Sequence, residues 1–75
     1  MNKVSDIEKV KSLKYGDNNT SCTVSWSEGG GGLVYRIEDM YVLFYVPQYG
    51  GEPQYENAYH ESEISELIEK ARSWT

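Results

Sequence analysis

Side chains with nucleophilic or proton-transferring chemistry are few and scattered in this chain. It has one histidine, His60, and one cysteine, Cys22. A general base needs a reacting group within hydrogen-bond reach. His60 instead lies between Tyr59 and Glu61 at the start of a helical pattern, a position that suits a cap or a surface residue. Cys22 falls on the apolar side of an alternating segment, and Ser21, Ser25 and Ser27 alternate along that segment instead of sitting on a sharp strand-to-helix elbow. Glu61, Glu63, Glu66 and Glu69 follow one another along a single helix, which describes a solvated face before it describes a cation site. The expectation is a protein that is not an enzyme, with no catalytic residues.

Two further patterns invite ligand chemistry. Asp17, Asn19, Ser21, Thr23, Ser25 and Glu28 occupy positions 1, 3, 5, 7, 9 and 12 of an EF-hand-like calcium loop, with Val24 at the apolar eighth place. The sixth place is Cys22, where the loop needs glycine for its bend, and glycines follow where a helix should leave. A strand accounts for the same residues. Gly29 to Gly32 resemble a phosphate cradle, but no lysine follows, no helix opens after them and Glu28 sits at their edge. They are expected to form a mobile hairpin loop. No metal, cofactor or cofactor-binding residue is expected.

With 75 residues the chain is expected to form one domain, 1–75, near the lower limit at which an apolar core suffices without disulfides or metal. A lone cysteine excludes an intramolecular disulfide and fits a reducing, cytoplasmic setting. The opening residues lack an apolar export segment, and no stretch approaches the roughly 20 apolar residues of a membrane span, so neither secretion nor membrane insertion is expected. The formal charge is −5 and uneven: four lysines stand before residue 16, and ten of the twelve acidic residues follow it. Affinity for phosphate backbones rests on Lys and Arg, so direct nucleic-acid binding is disfavoured and a neutral or basic protein partner is favoured.

The elements that must position any site are legible in outline. Ser5-Asp6-Ile7-Glu8 is a capping box; Ile7, Val10 and Leu13 share a helix face, and Gly16 can end the helix, which is expected over 6–14. Thr20 to Ser27 alternates, with Cys22, Val24 and Trp26 on one side, the period of a half-buried strand. Leu33–Glu38 and Met40–Val46 read as a hairpin with a tight turn near Asp39. Across it Leu33, Tyr35 and Ile37 share a face with Val42, Phe44 and Val46, and this set, together with Trp26, is expected to be core. Residues 47–60 lack strong periodicity, though a short fourth strand fits within 52–59. A last helix from Ser62 carries Ile64, Leu67, Ile68 and Ala71 at helical spacing, with Trp74 extending the stripe. The fold class is α+β: helix, three-stranded antiparallel sheet, helix.

That element order resembles the double-stranded RNA-binding domain over nearly the whole length. The likeness is one of topology. The family binds RNA through a lysine-rich start to its last helix, whereas Glu61, Ser62, Glu63 and Glu66 stand here and would repel phosphate.

Six of the seven tyrosines fall between Tyr35 and Tyr59. Tyrosine offers broad apolar contact, a polar tip and few rotamers to freeze, which suits recognition surfaces. If two helices cover one side of the sheet, the other side would present Val34, Arg36, Tyr41, Leu43 and Tyr45. With Tyr49, Tyr55 and Tyr59 from the following segment, these are the expected partner-binding residues. The segment 47–60 could instead fold back over that patch. The expected function is a small, acidic, non-enzymatic protein-interaction module, monomeric or weakly homodimeric. The alternative is an inhibitor from a phage or mobile element, similar in type to some anti-CRISPR inhibitors of this size. There Glu52, Glu56, Glu61, Glu63, Glu66 and Glu69 would imitate phosphates toward a nucleic-acid-binding protein.

Overall fold

The computed structural model describes residues 5–74. Helix α1 (Asp6–Lys11) begins where Ser5 Oγ accepts the Glu8 amide at 3.2 Å, with Asp6 and Glu8 complementing its positive end. It stops a turn earlier than the expected 6–14. The Ser12 carbonyl is taken by Asn19 Nδ2 at 2.9 Å, and the Lys14 amide donates to Asn19 O at 2.9 Å instead of to the preceding helical turn. These bonds offer the backbone an alternative to continued helix and steer the chain toward the sheet. Leu13 is buried nonetheless.

Four strands follow as an antiparallel meander: β1 (Ser21–Ser27), β2 (Gly30–Ile37), β3 (Met40–Val46) and β4 (Gln54–Tyr59), in spatial order β1-β2-β3-β4. The sheet thus has a fourth strand beyond the three expected, within 52–59, where a short one fits. A short 3-10 turn (Glu61–Glu63) then leads into α2 (Ile64–Arg72), whose α-helical part starts two residues after the expected Ser62. Glu63 Oε1 accepts the His60 amide at 3.0 Å, so the histidine stands at the helix entry. The protein is thus α+β, with both helices packed on one face of a four-stranded sheet. Among the described residues no helix is long and apolar enough to cross a membrane.

The glycine run is not a loop. The β1–β2 turn is Glu28-Gly29, both with positive φ (50° and 84°), the mirror-image geometry that matches strand twist. Gly30, Gly31 and Gly32 lie buried in β2. At Gly31, φ is 145° and a Cβ would come within 2.6 Å of Ser25 O; at Gly32 it would come within 2.8 Å of Val24 Cγ2 and 3.1 Å of Ala71 Cβ. Side chains are excluded from the run because Gln48 and Val46 crowd Gly30, β1 crowds Gly31, and β1 and α2 together crowd Gly32.

This placement inverts the expected core. Carried on from the two-residue turn and its Ser27–Gly30 pair, a regular register would set Val24 against Leu33. A bulge shifts it by one residue, so Cys22 pairs with Val34 and Val24 with Gly32, and β1 shares its covered face with Val34 and not with Leu33. The core comprises Val10, Leu13, Val24, Val34, Tyr41, Leu43, Tyr59, Ile64, Leu67, Ile68 and Ala71. Leu33, Tyr35, Ile37, Val42, Phe44 and Val46 face away from the helices. Trp26 leaves the core as well. Two residues, Ser25 and Trp26, oppose the single Gly31 between the Val24–Gly32 and Ser27–Gly30 pairs, a bulge in which Ser25 takes φ 50°. One inserted residue reverses side-chain parity, and Trp26 is 43% exposed.

Candidate interaction surface

Alternation along β2 and β3 sends Leu33, Tyr35, Ile37, Met40, Val42, Phe44 and Val46 to the face that carries no helix. A second bulge adds to it from β4. Leu43 pairs with Asn57 but Phe44 pairs with Tyr55, leaving Glu56 as the extra residue. In a regular strand Tyr55 would share the covered side with Asn57 and Tyr59; because Glu56 is bulged out, Tyr55 stands opposite Phe44 instead. Both edge strands therefore use a bulge to deliver an aromatic residue, Trp26 or Tyr55, to the open side.

Three of the rings form a row across β2, β3 and β4. Tyr35 and Phe44 meet edge to face with centroids 5.8 Å apart, and Phe44 meets Tyr55 similarly at 6.1 Å. Such contacts stabilise by about 0.5–1.5 kcal/mol each and hold the rings in one arrangement before any partner arrives. Tyr55 remains 63% exposed, Ile37 46% and Tyr35 38%, while Leu33, Val42, Phe44 and Val46 are half-buried by their neighbours. The connection between β3 and β4 does not cover this face. Gln48 turns back toward β2, its backbone lying where a Gly30 side chain would be, and its side-chain Nε2 donates to Glu28 Oε2.

The residues expected to bind a partner are mostly elsewhere. Val34, Tyr41 and Leu43 are buried beneath the helices, and Tyr59 with them. Arg36, half-buried, reaches the same side: Nη1 donates to Tyr41 Oη at 2.9 Å and to Leu13 O at 3.3 Å, Nε donates to Glu38 O at 2.7 Å, and the guanidinium lies 4.8 Å from the Tyr41 ring centroid. It fastens the β2–β3 hairpin to the end of α1. Tyr45 packs edge to face on Trp74 at 5.0 Å. Tyr49 is 91% exposed on the β3–β4 connection, and Tyr55 alone of the expected set joins the open aromatic row. Tyr35, Phe44, Trp26 and Ile37 are the surface residues that sequence reasoning assigned to the core. The signal that could have found them is Gly32: its bare backbone within the Val34 set makes room for a helix. A second is the direct Arg36–Tyr41 pairing, which gives both polar ends a partner under cover.

The edges of the sheet are less available than its face. On β4 the Ala58 amide takes Asn57 Oδ1 at 2.9 Å, and on β1 the bulge amide of Ser25 donates to Asp6 Oδ2 at 3.1 Å. Side chains thus occupy backbone groups that could otherwise pair with a foreign strand.

The remaining chemistry stays dispersed. Asp17 to Glu28 runs through a turn into an extended strand, and among the described residues no three His, Cys, Asp or Glu side chains gather as a metal site. Burial pushes the Cys22 thiol up to about 11, which keeps it protonated and poorly nucleophilic near neutral pH. A recess lined by Ser27, Gly30, Tyr45, Gln48 and Trp74 holds about 50 Å³, well below the roughly 300–1,000 Å³ of small-molecule sites. Glu56 pairs with Lys70 at 3.3 Å and Glu63 holds the His60 amide, so these members of the expected phosphate-like array already have partners within the chain.

Compared with protein-family models, curated proteins and solved structures, the chain matches none.

Proposed function

We propose that this chain is a small, acidic, non-enzymatic protein-interaction module that engages its partner through the open face of its sheet. The observation that carries the reading is the ordered row Tyr35–Phe44–Tyr55, left uncovered and flanked by exposed Trp26 and Ile37. Contiguous exposed apolar surface of this kind is rare on free-standing domains, and aromatic anchors dominate interface energies. One amide on each edge strand, Ala58 on β4 and Ser25 on β1, is already bonded to a side chain, which supports a face-on mode of binding over strand addition. The single cysteine fits a reducing, cytoplasmic setting, and the module acts as a monomer or weak dimer.

The test is capture from a lysate of the source organism by three forms: the unaltered protein, Tyr35→Ala with Phe44→Ala, and Glu61→Lys with Glu66→Lys and Glu69→Lys. The same captured protein should be lost with the aromatic variant and kept with the charge-reversed one. The reverse result would select the acidic nucleic-acid mimic acting through α2. Hydroxyl-radical footprinting of the complex should protect Tyr35, Phe44 and Tyr55.

A further inference from the structure

The charges of the described residues are segregated. Lys9 and Lys11 lie in α1, Lys14 just after it, and Lys70 and Arg72 in α2. Arg36, the only cation in the sheet, is drawn to the helix side by Leu13 O and Tyr41 Oη. The open face therefore has no Lys or Arg among the described residues, in its strands or in its turns. The hairpin turns and the β3–β4 connection at its ends carry acids and no Lys or Arg, all of the acids exposed: Glu28 and Glu52 at one end, Glu38 and Asp39 in the β2–β3 turn at the other.

Resting on the reading of this face as an interaction surface, we infer that it takes a protein surface with an apolar centre edged by lysine and arginine, and that its acidic ends keep a second copy off it. Sheets packed face to face align their strands to within about 30°. Two copies stacked in that way, in either direction, bring acidic turns over acidic turns, with no Lys or Arg in the strands or turns of either open face to answer them. Like charges juxtaposed across an interface oppose association. A basic rim on a different protein meets the same ends with opposite charge, and Trp26 and the tyrosines offer ring faces to its cations. The rings supply contact energy; the rim chooses the partner.

Two measurements test this. In sedimentation equilibrium the unaltered protein should stay monomeric where Glu28→Gln/Glu38→Gln/Asp39→Asn/Glu52→Gln dimerises, the dimer Kd falling by about tenfold or more. Adding Phe44→Ala, or the milder Tyr55→Ala, should restore the monomer. A synthetic amphipathic helix of leucine and lysine should bind the unaltered protein about tenfold or more tightly than its leucine–glutamate twin, more weakly at high salt, and not in the Phe44→Ala or Tyr55→Ala forms. A tight dimer of the unaltered protein, dissociated by Tyr55→Ala, would overturn the basic-partner inference while leaving the face an interaction surface. Peptide binding that survives Phe44→Ala and Tyr55→Ala but is lost with Glu61→Gln/Glu66→Gln/Glu69→Gln would overturn it by moving the site to α2. No dimer of the amide variant, together with no peptide binding, would defeat both the inference and the reading beneath it.

Discussion

Leu43 and Phe44 are neighbours on β3, yet they belong to different regimes. Leu43 is fully buried under the helices, while Phe44 is held between Tyr35 and Tyr55 on the side that no helix covers. Both faces are apolar, and both contain tyrosine. What separates them is how closely another element can approach. The covered face has Gly32 at its centre, so α2 can bring Ala71 against the sheet, and its polar groups are answered there by Arg36 and Tyr41. The open face is crowded with rings that pack on one another laterally. Hydrophobicity alone does not choose a core; shape and the satisfaction of polar atoms do.

The largest test of that contrast is truncation of the two neighbours. Leu43→Ala should cost about 2–5 kcal/mol, enough to unfold much of so small a domain, whereas Phe44→Ala should cost about 1–2 kcal/mol in urea denaturation. Equal losses would show that something also closes the open face. Next in size is Gly32→Val, which forces side-chain atoms against Val24 and Ala71 and should cost at least about 1–3 kcal/mol. Unchanged thermal stability in that variant would mean that α2 does not pack on β2 as described.

The Cys22 thiol sharpens the comparison through pH. Its folded value, about 11, is raised by burial above the ordinary 9.0, so folding favours the neutral form. The stability that this contributes is fully present below pH 9 and is lost as pH rises through 11. The stability gap between the native chain and Cys22→Ser should therefore move against the native chain across that interval. A gap independent of pH would place the thiol in solvent. The smallest effect belongs to Trp26. Because the bulge turns it outward, Trp26→Ala should cost less than about 1 kcal/mol in thermal denaturation. A loss on the order of 3–5 kcal/mol would return it to the core.

The order of the two helices and first three strands, the cap at Ser5 and the strand periods follow from local chemistry, because helix caps and alternating segments depend on residues a few positions apart. The fourth strand is only an open possibility at that level, since residues 47–60 lack strong periodicity. The faces did not follow. Leu33/Tyr35/Ile37 and Val34/Arg36/Tyr41 are both credible core sets when only apolarity is weighed, and the choice between them depends on contacts with α1, α2 and β1. The candidate surface was legible in kind, as a bare and aromatic sheet face, but not in its residues, apart from Tyr55. Each bulge adds one residue to an edge strand, and its position is set by pairing with a partner strand distant in sequence.

By itself, then, the sequence determined a small acidic α+β chain with two amphipathic helices, tyrosine-rich strands and one thiol, since these depend on composition and on period. Only the tertiary structure decided which side the helices cover, why three glycines belong inside a strand and where Trp26 and Tyr55 point. The physical reason is parity: in a strand every residue added or removed upstream exchanges the two faces, so one bulge outweighs the apolar pattern of the whole segment.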